Sequence, residues 1–157
     1  MRKCRKKYKP KGVIVDTMSW VKSGMKPVAE TGDAITVLKL RNHGAMAALT
    51  KGQATRQDLD ILISCLNITE AYWRMGIGYE YKEIVNAGLA ALRSVGKRGL
   101  ESGKFILKAD EMAALNEAME LHDAQLELST VKEMERALDI VTQEIKHKRA
   151  TPIKEPV

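Results

Sequence analysis

The 157-residue chain carries a formal net charge of +6, with 45% apolar residues and only 4% aromatic ones. It is long enough to bury a core without metals or disulfides, and the scarcity of aromatics leaves Leu, Ile, Val, Met and Ala to fill that core, which favours helix over sheet. No run of eighteen apolar residues occurs and no apolar leader follows the basic N-terminus, so neither a membrane span nor a signal peptide is expected, and the expected home is the cytoplasm.

Charge is unevenly placed. Bases exceed acids by 8 over residues 1–50 and by 3 over 51–108, whereas acids exceed bases by 5 over 109–157. Such asymmetry points to a basic arm that meets phosphate or an acidic surface. The two cysteines, Cys4 in the arm and Cys65 in an apolar helical run, read as free thiols of a reducing compartment. Three parts are expected: a flexible basic arm over 1–12, a single helical domain over 13–150 and a tail over 151–157.

The arm "MRKCRKKYKPKG" holds Arg2, Lys3, Arg5, Lys6, Lys7, Lys9 and Lys11 with no acid among them. Self-repulsion extends such a segment, its cations neutralise phosphates, and the interleaved Tyr8 offers a face for stacking on a base. Next, "VIVDTMSWV" alternates like a short strand or opens a first helix turn, and 22–34 reads as loop. "AITVLKL" has β-branched character compatible with a short β element. Asn42 then stands where it would cap a short helix to about Thr50, ended by Gly52.

Thr55 and Asp58 form the pattern of a capping box for a helix over about 56–75. That helix has two apolar stripes, Leu59/Leu62/Leu66/Trp73 and Ile61/Cys65/Ile68/Tyr72, so it should lie centrally between neighbours. "GIGYEY" breaks the run before a third helix over about 80–101, with Ile84, Leu89, Leu92 and Val95 inward. Gly88, Gly96 and Gly99 within it suggest close helix packing, or an early end near Gly96. A fourth helix, capped by Asp110, runs to about Leu128 with Met112, Leu115, Met119, His122 and Leu126 in one row. After the turn "ST", Thr130 and Glu133 form a second capping box, and Val131, Met134, Leu138, Val141 and Ile145 recur at three-four spacing to about 148. The fold class that follows is mostly α: a small helical bundle with a C-terminal antiparallel helix hairpin.

The adjacent pair His122–Asp123 is the first place to look for chemistry. Neighbouring helix residues do not face each other, so Asp123 is badly placed to orient His122 as a base. Metal-dependent phosphohydrolases use adjacent His-Asp as ligands, but they need an upstream His and a downstream Asp. Here those would be His43, 79 residues before the pair, and Asp139. The expectation is a His122 satisfied inside the bundle, at an interface or in a ligand pocket, with no metal, no cofactor and no catalytic residue. "GKRGLESGK" lacks the strand that precedes a phosphate loop. "AMAALTKGQATRQDLDIL" has the Ala48–Gly52 spacing of a helix-turn-helix, but Lys51, Gln53 and Asp58 occupy positions that should be apolar.

Two further basic groups are candidate ligand contacts. Arg93 and Lys97 share a face of the third helix. Lys39, Arg41, Asn42 and His43 stand at an expected helix N-terminus, which prefers anions. With His122, these seven residues form the expected ligand-binding set.

The stretches "YKPKG", "RNHGAMAAL", "ATRQDLDILISCLNITEA" and "ALNEAMELHDAQLELSTVKEME" together resemble a family of small phage and prophage proteins of proteobacteria, often labelled Fis-like regulators. The resemblance covers most of the chain. It implies a phage accessory protein that acts by binding. The expected function is therefore non-enzymatic capture of a phosphate-bearing ligand, foremost as a counter-defence protein that sequesters a nucleotide immune signal. A DNA-binding regulator using the basic arm, and a helical inhibitor docking on a host defence protein, are the alternatives. The expected partners are a nucleotide or nucleic acid, a host protein in the third reading, no membrane, and further copies of the chain: the even row of the last helix and the small residues of the third point to a homo-oligomer.

Overall fold

A computed structural model describes residues 24–150 and 153. Among these the chain is a small helical bundle of five α-helices with no strand: α1 Asp33–Thr50, α2 Arg56–Arg74, α3 Lys82–Ser102, α4 Ala109–Leu128 and α5 Val131–Lys146. Single 3-10 turns, Val28–Glu30 and Tyr79–Tyr81, precede α1 and α3. The basic arm, the "VIVDTMSWV" segment and most of the tail lie outside the described residues.

The helix starts follow from local chemistry. At α2 the Thr55 side chain accepts from the Asp58 backbone N–H at 3.3 Å, and Asp58 accepts from the Thr55 N–H at 2.8 Å. The bonds that the carboxylate accepts from the Thr55 N–H and, at 2.7 Å, from the Thr55 hydroxyl hold the Asp58 carboxyl below its usual range. Thr130 and Glu133 repeat the box at α5, with 3.3 and 2.8 Å. At α4 the reading shifts: Lys108, not Asp110, occupies the cap position, and its N–H is taken by the Glu111 carboxylate at 2.9 Å. Asp110 instead lies in the first turn, where the helix dipole favours an acid.

The "AITVLKL" segment, whose composition also allows a short β element, is helical, and α1 begins nine residues before the expected start at Asn42. Its inward row is Ile35, Asn42, Ala45, Met46 and Leu49, so a polar residue sits inside the apolar stripe. Burial of that row, Ile35 against Leu126 of α4 and Ala45, Met46 and Leu49 in the main core, overrides the strand propensity of Ile35, Thr36 and Val37.

α2 is central: it packs on α1, α3, α4 and α5, as its two apolar stripes predict. Its Leu59, Leu62 and Leu66 meet Leu49 of α1, Leu92 and Val95 of α3, and Leu115 and Met119 of α4 in the main core. Each such side chain contributes about 1.5–3 kcal/mol by leaving water. A satellite core of Ala71 and Tyr72 against Ala137, flanked by Ile68, Met134, Ile140 and Val141, seats α5 on α2. α4 and α5 are joined by the two-residue turn Ser129–Thr130, where the Tyr72 hydroxyl lies 2.9 Å from the Ser129 hydroxyl.

α3 runs unbroken to Ser102, so its glycines mark close packing rather than an early end. A Cβ on Gly88 would stand 2.6 Å from the Ala118 Cβ, and one on Gly96 would stand 2.7 Å from Ile153 Cδ1. The Gly99 position is closed by the Phe105 ring. The chain's own side chains thus fill the small-residue row that suggested a subunit interface. No helix among the described residues is long and apolar enough to cross a membrane.

Candidate functional site

Among the described residues, polar side chains gather at a seam between α1 and α4 and in a groove bounded by α2, α3 and α5. The seam holds four of the seven expected ligand residues. Lys39 pairs with Glu127 at 2.8 Å, Asn42 with His122 at 3.3 Å, and His43 with Asp123 at 2.8 Å. These α1 residues lie mid-helix, so the expected anion site at a helix N-terminus does not exist there. Asn42 is no cap but fully buried, and Arg41 is exposed.

The His122 ring shows no exposure at all. Its hydrogen bonds settle its tautomer. The Thr69 hydroxyl donates to the Cys65 carbonyl at 3.1 Å, which leaves it to accept from His122 Nδ1–H at 3.0 Å. His122 Nε2 then accepts from the Asn42 amide. Burial pushes the imidazole pKa down from 6.5 to about 4, against a partial offset from the Asp123 carboxylate. A neutral ring with both nitrogens engaged has no lone pair left for a substrate proton or a cation.

Sequence distance set His43 apart from the His122–Asp123 pair, yet the fold brings it against Asp123. Even so, no group of three or more His, Cys, Asp or Glu among the described residues is placed to hold a metal ion. Asn42 Oδ1 and Asp123 Oδ1 are buried without a hydrogen-bond partner among the described residues.

The second place is a groove of ≈ 1170 Å³, larger than the ~300–1,000 Å³ usual for small-ligand sites. Its floor is the α2 face with Leu59 and Ile63, one wall is α3 with Leu89 and Arg93, and the other is α5 with Ile140 and Val141. Ile153 closes over Gly96 and Leu59 at one end. Among the described residues five cations line it, Arg56, Arg74, Arg93, Lys148 and Arg149, against the three carboxylates Asp60, Glu70 and Glu144. Glu144 lies between Arg149 at 3.0 Å and Arg74 at 3.8 Å, and Arg74 also meets Glu70 at 2.7 Å. Hydrogen bonds from Arg149 hold the Glu144 carboxyl below its usual range. Arg93 is exposed and carries no ion pair with any described residue.

Of the expected set, then, Lys39, Asn42, His43 and His122 converge on the seam, and Arg93 lines the groove. Lys97 is exposed one turn further along α3, outside the groove lining. The arm residues Arg2, Lys3, Arg5, Lys6, Lys7, Tyr8, Lys9 and Lys11 lie outside the described residues. Arg56, Arg74, Lys148 and Arg149 were missed as site residues. The "KHKR" run gave a signal, but it also satisfies the α5 dipole and was absorbed by that role. Comparison with protein-family models, curated proteins and solved structures gives no match to this chain.

Proposed function

We propose that this protein is a non-enzymatic binder of a phosphate-bearing ligand, held in the groove between α2, α3 and α5. The observation that carries the reading is the excess of cations around an apolar floor in a cleft of ≈ 1170 Å³. Arg93 and Lys148 supply charge at the rim, beside the Arg149–Glu144 pair, and the Arg93 guanidinium suits bidentate phosphate contacts. Leu59, Ile63, Leu89 and Ile140 offer the apolar surface that a sugar or heterocycle would cover. The seam is a structural element in this reading, since His122 is fully engaged.

Set beside the resemblance to phage and prophage proteins, the reading becomes a counter-defence protein that sequesters a nucleotide signal in the host cytoplasm. A homo-oligomer belongs to the same proposal, supported by Leu138 and Ile145 of α5, which are 43% and 60% exposed.

Mass spectrometry of small molecules released from the purified protein tests the ligand directly, with calorimetric titration of whatever is found. Arg93→Glu is expected to weaken binding at least tenfold, and affinity should fall as salt rises. Released nucleotide whose affinity is indifferent to Arg93→Glu and Arg149→Glu would refute the groove as the site. Duplex DNA binding that disappears on deletion of residues 1–11 would favour the regulator instead.

A further inference from the structure

The corner between α2 and α3 gathers aromatic rings beside Arg74, a residue of the groove lining. The chain has only two Trp, four Tyr and one Phe, and Trp73, Tyr79 and Tyr81 stand within nine positions of one another. Tyr79 and Tyr81 are 61% and 44% exposed, which core packing does not explain. Trp73 and Tyr79 meet edge to face, ring centroids 6.1 Å apart at 64°. Two cations flank the indole: Lys82 Nζ lies 5.2 Å and the Arg74 guanidinium 5.9 Å from its centroid. The indole N–H is buried with no partner among the described residues.

The loop that carries these rings is fixed from below. Gln125, buried on α4, donates its amide to the Ile77 carbonyl at 3.3 Å. Gly78 adopts φ +73° directly above that amide, where a Cβ would stand 3.4 Å from it. The Tyr79–Tyr81 turn is thereby held in one place.

The corner is continuous with the groove. Arg74 lies over Trp73 and also lines the groove. At 100° per residue, Lys82 and Arg93 fall within roughly 20° of each other around α3, roughly 16 Å apart along its axis. Asn86, between them on that face, lines the groove with Arg93. One stripe thus leads from the aromatic rings to the cation-lined cleft, longer than a single nucleotide.

We propose that Tyr79 and Tyr81, backed by Trp73, form a base-stacking platform for a single-stranded oligonucleotide whose phosphates run along Lys82, Arg74 and Arg93 into the groove. The proposal rests on the groove as a phosphate site and adds the heterocycle. Exposed aromatic faces beside cations suit unpaired bases, whose π-faces are open, and not a duplex, whose faces are stacked.

The test uses the full chain and three probes: an eight-residue oligodeoxyadenylate, an abasic strand of equal length, and inorganic tripolyphosphate. A Trp20→Phe background leaves Trp73 as the fluorescence reporter. The oligonucleotide should bind at least tenfold more tightly than the abasic strand and quench Trp73. Tyr79→Ala with Tyr81→Ala should bring its affinity down to that of the abasic strand, and Tyr79→Phe with Tyr81→Phe should preserve it. Arg93→Glu should weaken all three probes. Equal affinity for the two strands, without quenching, overturns the platform while leaving the phosphate groove standing. No binding of any probe overturns both. If Trp20→Phe disturbs the fold, the strand comparison in the unsubstituted chain decides alone.

Discussion

The buried imidazole makes stability depend on pH in a window that the carboxylates leave largely clear. In the unfolded chain His122 takes a proton as pH falls through 6.5, whereas the folded chain refuses it until about 4. Between those values the unfolded state binds more protons, so stability falls with falling pH, by up to about 1.4 kcal/mol per pH unit. The contribution is fully present above pH 6.5 and is lost progressively toward pH 4. From pH 7 to pH 5 the loss from this one group works out at about 2 kcal/mol. For a chain of this size that lowers Tm by about 4–8 °C and the urea midpoint by roughly 0.7–2 M. Asp58, Glu111, Glu127 and Glu144 are all held below their ordinary values, so their losses begin at lower pH. Urea titrations at pH 7, 6 and 5, run beside a His122→Gln variant, isolate the effect. A midpoint that stays constant from pH 7 to 5, or a fall that the variant shares in full, would refute the buried neutral imidazole.

Further outcomes follow from single contacts. Thr69→Val leaves His122 Nδ1–H without an acceptor and should cost about 1–3 kcal/mol by chemical denaturation, while Thr69→Ser should be close to neutral. Gly88→Val drives a side chain into Ala118 and Leu66, and its overpacking cost of about 1–3 kcal/mol exceeds the helix-propensity gain of under ~1. Arg98→Met removes the guanidinium that holds both oxygens of the nearly buried Glu111 and the Ile106 carbonyl, so it should destabilise by about 1–3 kcal/mol and speed hydrogen exchange over 103–108. That loss should shrink at pH values below the ordinary carboxylate range, where Glu111 becomes protonated.

Much of the bundle was legible because local chemistry and tertiary packing agree. The Thr55–Asp58 and Thr130–Glu133 boxes sit at the starts of α2 and α5, and the double apolar stripe of α2 matches its central place. His122 was legible as a core position from its row with Leu115, Met119 and Leu126. Asn42 was misread because a polar residue inside an apolar stripe looks like a boundary until its partner, 80 positions away, is known. Val37 and Leu40 added to the error: they are 63% and 69% exposed, which blurs the helical period of α1. The groove left little trace, since its cations come from two helices and from a segment just past α5. Arg98 and Glu111 were equally hidden, joined only by the fold of the loop between them.

The α1–α4 seam has one more consequence. Greasy surfaces alone let two helices slide past each other, because one methyl serves nearly as well as the next. Shift α1 by a single turn, about 5.4 Å, and Lys39 arrives opposite Asp123 while His43 faces Met119 and the imidazole loses its amide donor. Three unlike pairings in fixed order work like the wards of a key, so the first helix has one seating and a mis-seated chain is penalised at each of them.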